Sequence, residues 1–256
     1  MKKKQYKSKY KWKKYKILSE HERFRGILPE TRLMAVNSFW SMIDKYGSVV
    51  IKPDNGQKGQ GIYLISSSDD NSYRVRYKDD ELKFTEKESL NKYLAEVTSH
   101  TKYLIQQWVE LASIKNRPFD LRLTVQQNLK AQWIVTGCIG KVADEDNFVT
   151  NISRGGEMLT LEKALQLADY PDKNSGDMLQ RLRNTAIDIA QTVGPHYSRF
   201  KAAGIDFGID KNGHLWFFEI NYKPAFYVWE KLDPQMYKKM MELKKYWEKQ
   251  ASRPAL

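Results

Sequence analysis

The sequence predicts an α+β protein of two lobes. Strand patterns come in neighbouring groups joined by turn residues, as antiparallel strands do. Helical patterns stand between these groups, and the regular strand–helix alternation of a parallel sheet is absent. A stretch containing Asn116 and Pro118 breaks the chain near 109–118. The expected organisation is a basic tail and first helix over 1–24, an N-terminal lobe over 25–108 and a C-terminal lobe over 109–256.

Each element has a local reason. Apolar residues at 33, 34, 36, 39, 40, 43 and 46 predict a helix over 31–46, stopped by Gly47. SVVIKP is a short apolar, β-branched run and predicts a buried strand ending at Pro53. The turn-rich DNGQKGQG (54–61) leads into a strand at 62–66, with short strands at 72–78 and 82–84. Thr85 with Glu88 three residues on resembles a capping box and predicts a helix over 85–98. KYLIQQWVEL (102–111) reads as a strand running out into the connection. FDLRLTVQQN (119–128) and AQWIVTGCIGKV (131–142) alternate and form a hairpin. A polar stretch over 143–158 carries Arg154-Gly155-Gly156. Helices follow over 161–170 and 177–197. AAGIDFGID (202–210) and HLWFFEIN (214–221) form a second hairpin around Lys211-Asn212-Gly213. A last amphipathic helix covers 233–250.

Composition excludes several classes. The 256 residues are 41% hydrophobic and 29% charged, as in soluble globular proteins, and no window approaches a membrane span. The charged N-terminus has no apolar stretch behind it, so no secretory signal is expected. One cysteine, Cys138, forms no intramolecular disulfide and no Cys-rich zinc site. The net charge of +12 suggests nucleic acid at first sight. Yet nine lysines lie in residues 1–16, which hold no acid, and the other 240 residues carry only +3. The excess belongs to a tail, and no basic nucleic-acid surface is expected on the body.

Three sets of residues could carry chemistry. Lys52 ends a buried strand and is followed by Gly56, Gly59 and Gly61. Glycines let backbone N–H groups approach phosphate oxygens, and the lysine adds charge. The spacing is neither a Walker loop nor a Rossmann fingerprint. Asp206 lies in GIDFGID, and Glu219 and Asn221 share one strand face in FFEIN. Carboxylates and an amide oxygen among apolar residues suit Mg²⁺ with phosphate completing the shell, or else a salt bridge. Arg122 shares a strand face with Asp120, and Arg154 is followed by two glycines. Both arginines suit a transferring phosphoryl group, and either could equally be ion-paired.

In order and spacing, VVIKP, GQKGQG, LIQQWVEL, FDLRLTV, NISRGG, GIDFGID and FEINYKP resemble an ATP-grasp domain over residues 25–230. LPET, MIDKYGSVVIKP, FDLRL and FEIN are most similar to its YheC/YheD group, which is associated with the spore coat of endospore-forming bacteria. The resemblance implies ATP between two α+β lobes. Lys52 would reach its phosphates under the loop 54–61. Gln106, Gln107, Trp108 and Val109 would form the hinge against adenine, where family members often carry Glu-Glu. Glu110 or Asp120 would contact ribose or phosphate, and Arg122 and Arg154 would face the γ-phosphate. Asp206, Glu219 and Asn221 would hold Mg²⁺ or Mn²⁺. Lys11 is the candidate for a further phosphate lysine.

The family's reaction converts a carboxylate into an acyl phosphate, which an amine or thiol then attacks. The substrates implied are small-molecule or peptide carboxylates and amines. Only the lysine-rich opening precedes LPET, so the acceptor site is built differently or a protein partner supplies it. Lys223 in YKPAF could pair with an acceptor carboxylate. A cytoplasmic or spore-associated location is implied. A nucleotide-binding structural protein without turnover is the alternative, and a nucleic-acid-binding protein is the third.

Overall fold

The computed structural model describes residues 10–56, 59–144, 150, 156–171, 175–197 and 200–251. Two antiparallel sheets organise them. The first has strand order β1-β6-β2-β3-β4-β5. Its members are β1 (Thr31–Leu33), β2 (Ser48–Pro53), β3 (Tyr63–Ser67), β4 (Tyr73–Tyr77), β5 (Asp80–Phe84) and β6 (Tyr103–Gln107). Helices α3 (Val36–Tyr46) and α4 (Lys87–Thr98) cover one face. Alternation along β2 and β6 sends Val49, Ile51, Tyr103 and Ile105 into that core against Phe39, Met42, Ile43, Leu90 and Leu94. The same alternation turns Lys52, Leu104 and Gln106 to the opposite face.

The second sheet runs β10-β9-β8-β11-β12, with β7 (Ser113–Ile114) paired to β8. Its long strands are β8 (Arg117–Gln127), β9 (Trp133–Val142), β11 (Ala202–Ile209) and β12 (Leu215–Asn221), and β10 (Glu157–Thr160) forms one edge. Leu121, Leu123, Val125, Ile205 and Phe207 face a core shared with α5 (Leu161–Leu167) and α6 (Ser175–Val193). Helices α7 (Val228–Leu232) and α8 (Pro234–Ala251) cover part of the other face through Trp229 and Met240.

Four local expectations are revised. Residues 31–33 are a strand, and the helix begins at Val36. Thr31 and Leu33 pair with Gln106 and Leu104, and this edge pairing overrides a helical spacing that local sequence alone favours. The end is as expected, at Gly47 in the left-handed region with φ +68°. Helix α4 opens at Lys87 with Glu86 as N-cap, so Thr85 and Glu88 form no capping box. The polar stretch ends in β10, which pairs with β9 from Glu157↔Val142 to Thr160↔Ile139.

The fourth revision concerns the chain's opening. Helix α1 (Lys11–Ser19) and the short α2 (Glu22–Arg25) dock on the second sheet. Ile17, Leu18, Phe24, Ile27 and Leu28 are buried in its core, although the expected boundary put 25–28 in the first lobe. The Phe217 N–H donates to Ile27 O at 2.7 Å, capping the open edge of β12. At its other end α1 touches the first lobe, where Lys11 N–H donates to Asp54 O at 2.9 Å and Trp12 N–H to Asp54 Oδ1 at 2.7 Å.

Candidate nucleotide and metal site

The free faces of the two sheets meet in a small cleft, lined in part by Lys11, Lys14, Lys52, Gln106, Phe218 and Glu219. On the first-lobe side, Lys52 Nζ donates to Gln106 Oε1 at 2.8 Å, and Gln106 Nε2 donates to Thr31 Oγ1 at 2.7 Å. Thr31 Oγ1 in turn donates to Pro29 O at 2.9 Å. An ammonium can only donate, so this chain fixes the amide's orientation at every link. Gln106 therefore offers Lys52 a neutral acceptor. Burial pushes the Lys52 ammonium down to about 8, against a smaller upward pull from Glu219.

The glycine-rich loop leaves β2 after Pro53, the residue that follows Lys52. Lys11 Nζ donates to Gly56 O at 2.6 Å. Gly59 and Gly61 have φ of +70° and +69°, which glycine adopts at no steric cost. A Cβ on Gly61 would also lie 2.8 Å from Tyr103 Oη and 2.9 Å from Pro53 Cγ.

On the second-lobe side the site is a row across three neighbouring strands. Arg122 pairs with Asp206, and Asp206 pairs with Glu219. Directly opposed residues share a face, so the three side chains stand together. The register slips between Asp206 and Phe207, leaving Phe218 as the extra residue beside Glu219. Asn221 follows on the same face, opposite Gly204. Arg122 Nε and Nη2 each bond Asp206 at 2.7 Å, a bidentate pair. Burial alone would push the Asp206 carboxyl up, but Arg122 and Lys141 outweigh it and hold it well below the usual range. Glu219 pairs with Lys11 at 3.2 Å.

Two lysines enter that sequence reasoning did not single out. Lys141 is 5% exposed and lies 2.7 Å from Asp120 and 3.4 Å from Asp206. Thr150 Oγ1 also donates to Asp120. Lys14 is 3% exposed and donates from Nζ to Ile220 O at 2.6 Å, at the residue between Glu219 and Asn221. Burial pushes it down to about 8. The only signal for Lys141 is a charged residue at the end of an apolar strand. For Lys14 it is a place one helical turn beyond Lys11.

The remaining candidates are more dispersed. Gln107 N–H is committed to Glu30 O at 2.8 Å, so it is not a free donor for a base. Val109 is buried and Trp108 is half-buried, and both follow β6 into the connection. Glu110 is exposed and pairs with Lys211 at 2.6 Å, so this carboxylate stands at the surface. Asp120 is held by Lys141 inside the sheet, which argues against a ribose contact. Arg154 lies outside the described residues.

The oxygen donors fit a hard divalent cation. Glu219 is reachable, with its side chain 25% exposed, and Asn221 lies on its face. Among the described residues no group of three or more His, Cys, Asp and Glu forms a metal cage. Such a set suits Mg²⁺ that keeps water and phosphate ligands. Asp206 stands beside Glu219 with its charge already shared by Arg122 and Lys141.

Comparisons with known proteins identify the family and the fold. Residues 4–246 match the family model described as YheC/D-like ATP-grasp. The chain is 31% identical over 222 residues to the endospore coat-associated protein YheD of Bacillus subtilis strain 168. It is 24% identical over 220 residues to YheC of the same organism. Each match covers 84% of this chain, which spans 48% of YheD and 60% of YheC. The VanG D-Ala:D-Ser ligase from Enterococcus faecalis superposes with a TM-score of 0.53 and 14% identity, over 86% of this chain and 53% of that one. The ATP-grasp ligase PsnB, complexed with a phosphomimetic precursor variant, Mg and ADP, gives 0.51 and 16%, over 88% and 53%. At these identities the structural likeness establishes the ATP-grasp fold. No helix among the described residues is long and apolar enough to cross a membrane.

Proposed function

Because the chain belongs to the YheC/D-like ATP-grasp family, we propose that it uses Mg²⁺-ATP to activate a carboxylate as an acyl phosphate for attack by an amine. The observation that carries this is the charge of the cleft: three lysines (11, 14 and 52) line it against one carboxylate, Glu219. That surplus suits a polyphosphate. In this reading the carboxylate oxygen attacks the γ-phosphorus, and ADP leaves. The amine nitrogen then attacks the acyl carbon, inorganic phosphate leaves and the nitrogen loses a proton. No protein nucleophile is required.

The chain's residues bind and neutralise. Lys52 and Lys11 hold phosphate oxygens, and the loop 54–61 covers them. Glu219 and Asn221, with Asp206 behind them, would hold the metal. When bound, Mg²⁺ supplies charge neutralisation on the transferring phosphoryl group. Arg122 stays tied to Asp206 and offers its remaining N–H groups to the same phosphoryl. Arg122, helped by Lys141, keeps Asp206 ionised. The two-lobe division of the chain belongs to the same proposal, with the hinge at 106–109.

The test has two stages. Mg²⁺-ADP at a hundredfold excess over its Kd should stabilise the chain by about 2.7 kcal/mol. Glu219→Gln should remove the Mg²⁺ dependence of that effect. Then Mg²⁺-ATP with hydroxylamine, run over a panel of carboxylates, should yield ADP and a hydroxamate. Stabilisation without turnover on any carboxylate would favour a nucleotide-binding structural protein, the reading that the relatives' coat-associated names support.

A further inference from the structure

Lys11 has two partners that the nucleotide reading assigns to different tasks. Its ammonium bonds Gly56 O at 2.6 Å, in the loop expected over phosphates, and pairs with Glu219 at 3.2 Å, an accessible candidate metal ligand. We infer that Lys11 is an exchangeable counter-ion, which holds Glu219 and the loop together until phosphates draw it away, and so makes divalent-metal binding depend on nucleotide. The inference rests on the nucleotide reading of this cleft.

Three features support the exchange. A divalent ion held by Glu219 and Asn221 would lie within a few ångströms of that ammonium, so one cation must yield. Lys11 can yield without unfolding anything. Its own N–H and that of Trp12 are anchored on Asp54, which fixes the backbone and leaves the side chain to swing. Lys14 cannot substitute, because its buried ammonium is spent on Ile220 O and fixes the strand between Glu219 and Asn221. It acts as a positioning residue while Lys11 moves.

The cleft's electrostatics set the direction of the coupling. Three ammonium groups line the cleft with Glu219 as its lining carboxylate, and the Asp206 charge is already met by Arg122 and Lys141, so a metal cation alone is opposed and a polyanion is favoured. A triphosphate or diphosphate reverses this. It satisfies Lys11 and Lys52, releases Glu219 and adds its own oxygens to the metal shell.

The experiment measures Mn²⁺ binding to the whole chain by the electron-paramagnetic signal of free Mn²⁺, with and without ADP. Wild-type protein should take up Mn²⁺ well only with ADP. Lys11→Met removes one positive charge beside the ligand while keeping the stem. It should tighten ADP-free Mn²⁺ binding by about tenfold or more at low salt, and weaken ADP binding. Lys11→Arg should retain the wild-type coupling. Equal ADP-free Mn²⁺ affinity in wild type and Lys11→Met overturns the inference alone, provided that wild type binds Mn²⁺-ADP. An arginine variant that behaves like methionine also overturns it. A wild-type protein that takes up no Mn²⁺-ADP overturns the nucleotide reading itself.

Discussion

Lys141→Met isolates the buried ion cluster. The variant keeps the side-chain volume and removes the ammonium that lies 2.7 Å from Asp120 and 3.4 Å from Asp206. Asp206 retains both bonds from Arg122. Asp120 retains the Thr150 hydroxyl and no direct ion-pair partner among the described residues, with Arg122 acting on it only from further off. A buried carboxylate stripped of its partner costs about 3–5 kcal/mol if it stays charged. It can instead take a proton, which burial already favours by pushing the Asp120 carboxyl up. Protonation costs about 1.4 kcal/mol for each pH unit above an ordinary value near 3.9, so about 4 kcal/mol at pH 7 and about 1.5 at pH 5. That route caps the loss.

The variant should therefore be about 3–4 kcal/mol less stable than wild type at pH 7 and about 1–1.5 at pH 5. The sign follows from linkage. The folded variant binds a proton that its unfolded chain releases above about pH 4, so the variant loses stability as pH rises. Urea unfolding at pH 5, 6 and 7, followed by tryptophan fluorescence, measures the difference. A loss that is the same at all three pH values would refute the protonation argument. One well under 1 kcal/mol at pH 7 would refute the buried pair.

Further outcomes test the cleft and its supports. Burial holds the Lys52 ammonium near 8, and phosphates should restore its proton. ADP binding at pH 8.5 should therefore take up protons, so calorimetric heats should differ between buffers of unlike ionisation enthalpy and converge at pH 6.5. Identical heats at pH 8.5 count against Lys52 as a phosphate ligand. Leu18→Ala should cost about 2–5 kcal/mol, because Leu18 is 0% exposed in the second-lobe core. An undocked tail would lose nothing in the same thermal melt. Gly61→Ala should cost about 1–2 kcal/mol from its positive φ alone, and more from the contact with Tyr103. Gly26→Ala, whose Cβ would meet nothing within 4 Å, is the control, and equal melting points for the two would sink the argument.

Most of the site's rows were legible because strands alternate. Lys52 in SVVIKP and Glu219 with Asn221 in FFEIN each break an apolar run at a position whose face follows from counting by two. Hairpin signals put Asp206 beside Glu219, and the spacing of motifs pointed to an ATP-grasp fold. The pairing of Arg122 with Asp206 was not legible, since either residue could serve a phosphate or a metal alone. Nor was β1, where three residues chose a sheet edge over helical spacing.

The alternation, the turns and the order of motifs are local properties of the chain, each set by neighbours within a few residues. Its lysine-rich opening left nine near-identical ammonium groups in 16 residues with no local reason to rank them. Docking decided between them. The burial of Ile17 and Leu18 against the second sheet sets the phase of α1, and one turn of helix then turns Lys11 and Lys14 into the cleft. Lys141 became the centre of an ion cluster in the same way, because its partners lie 21 and 65 residues away. Charge compensation between distant segments acts only once packing has brought them together and excluded water, so no local pattern encodes it.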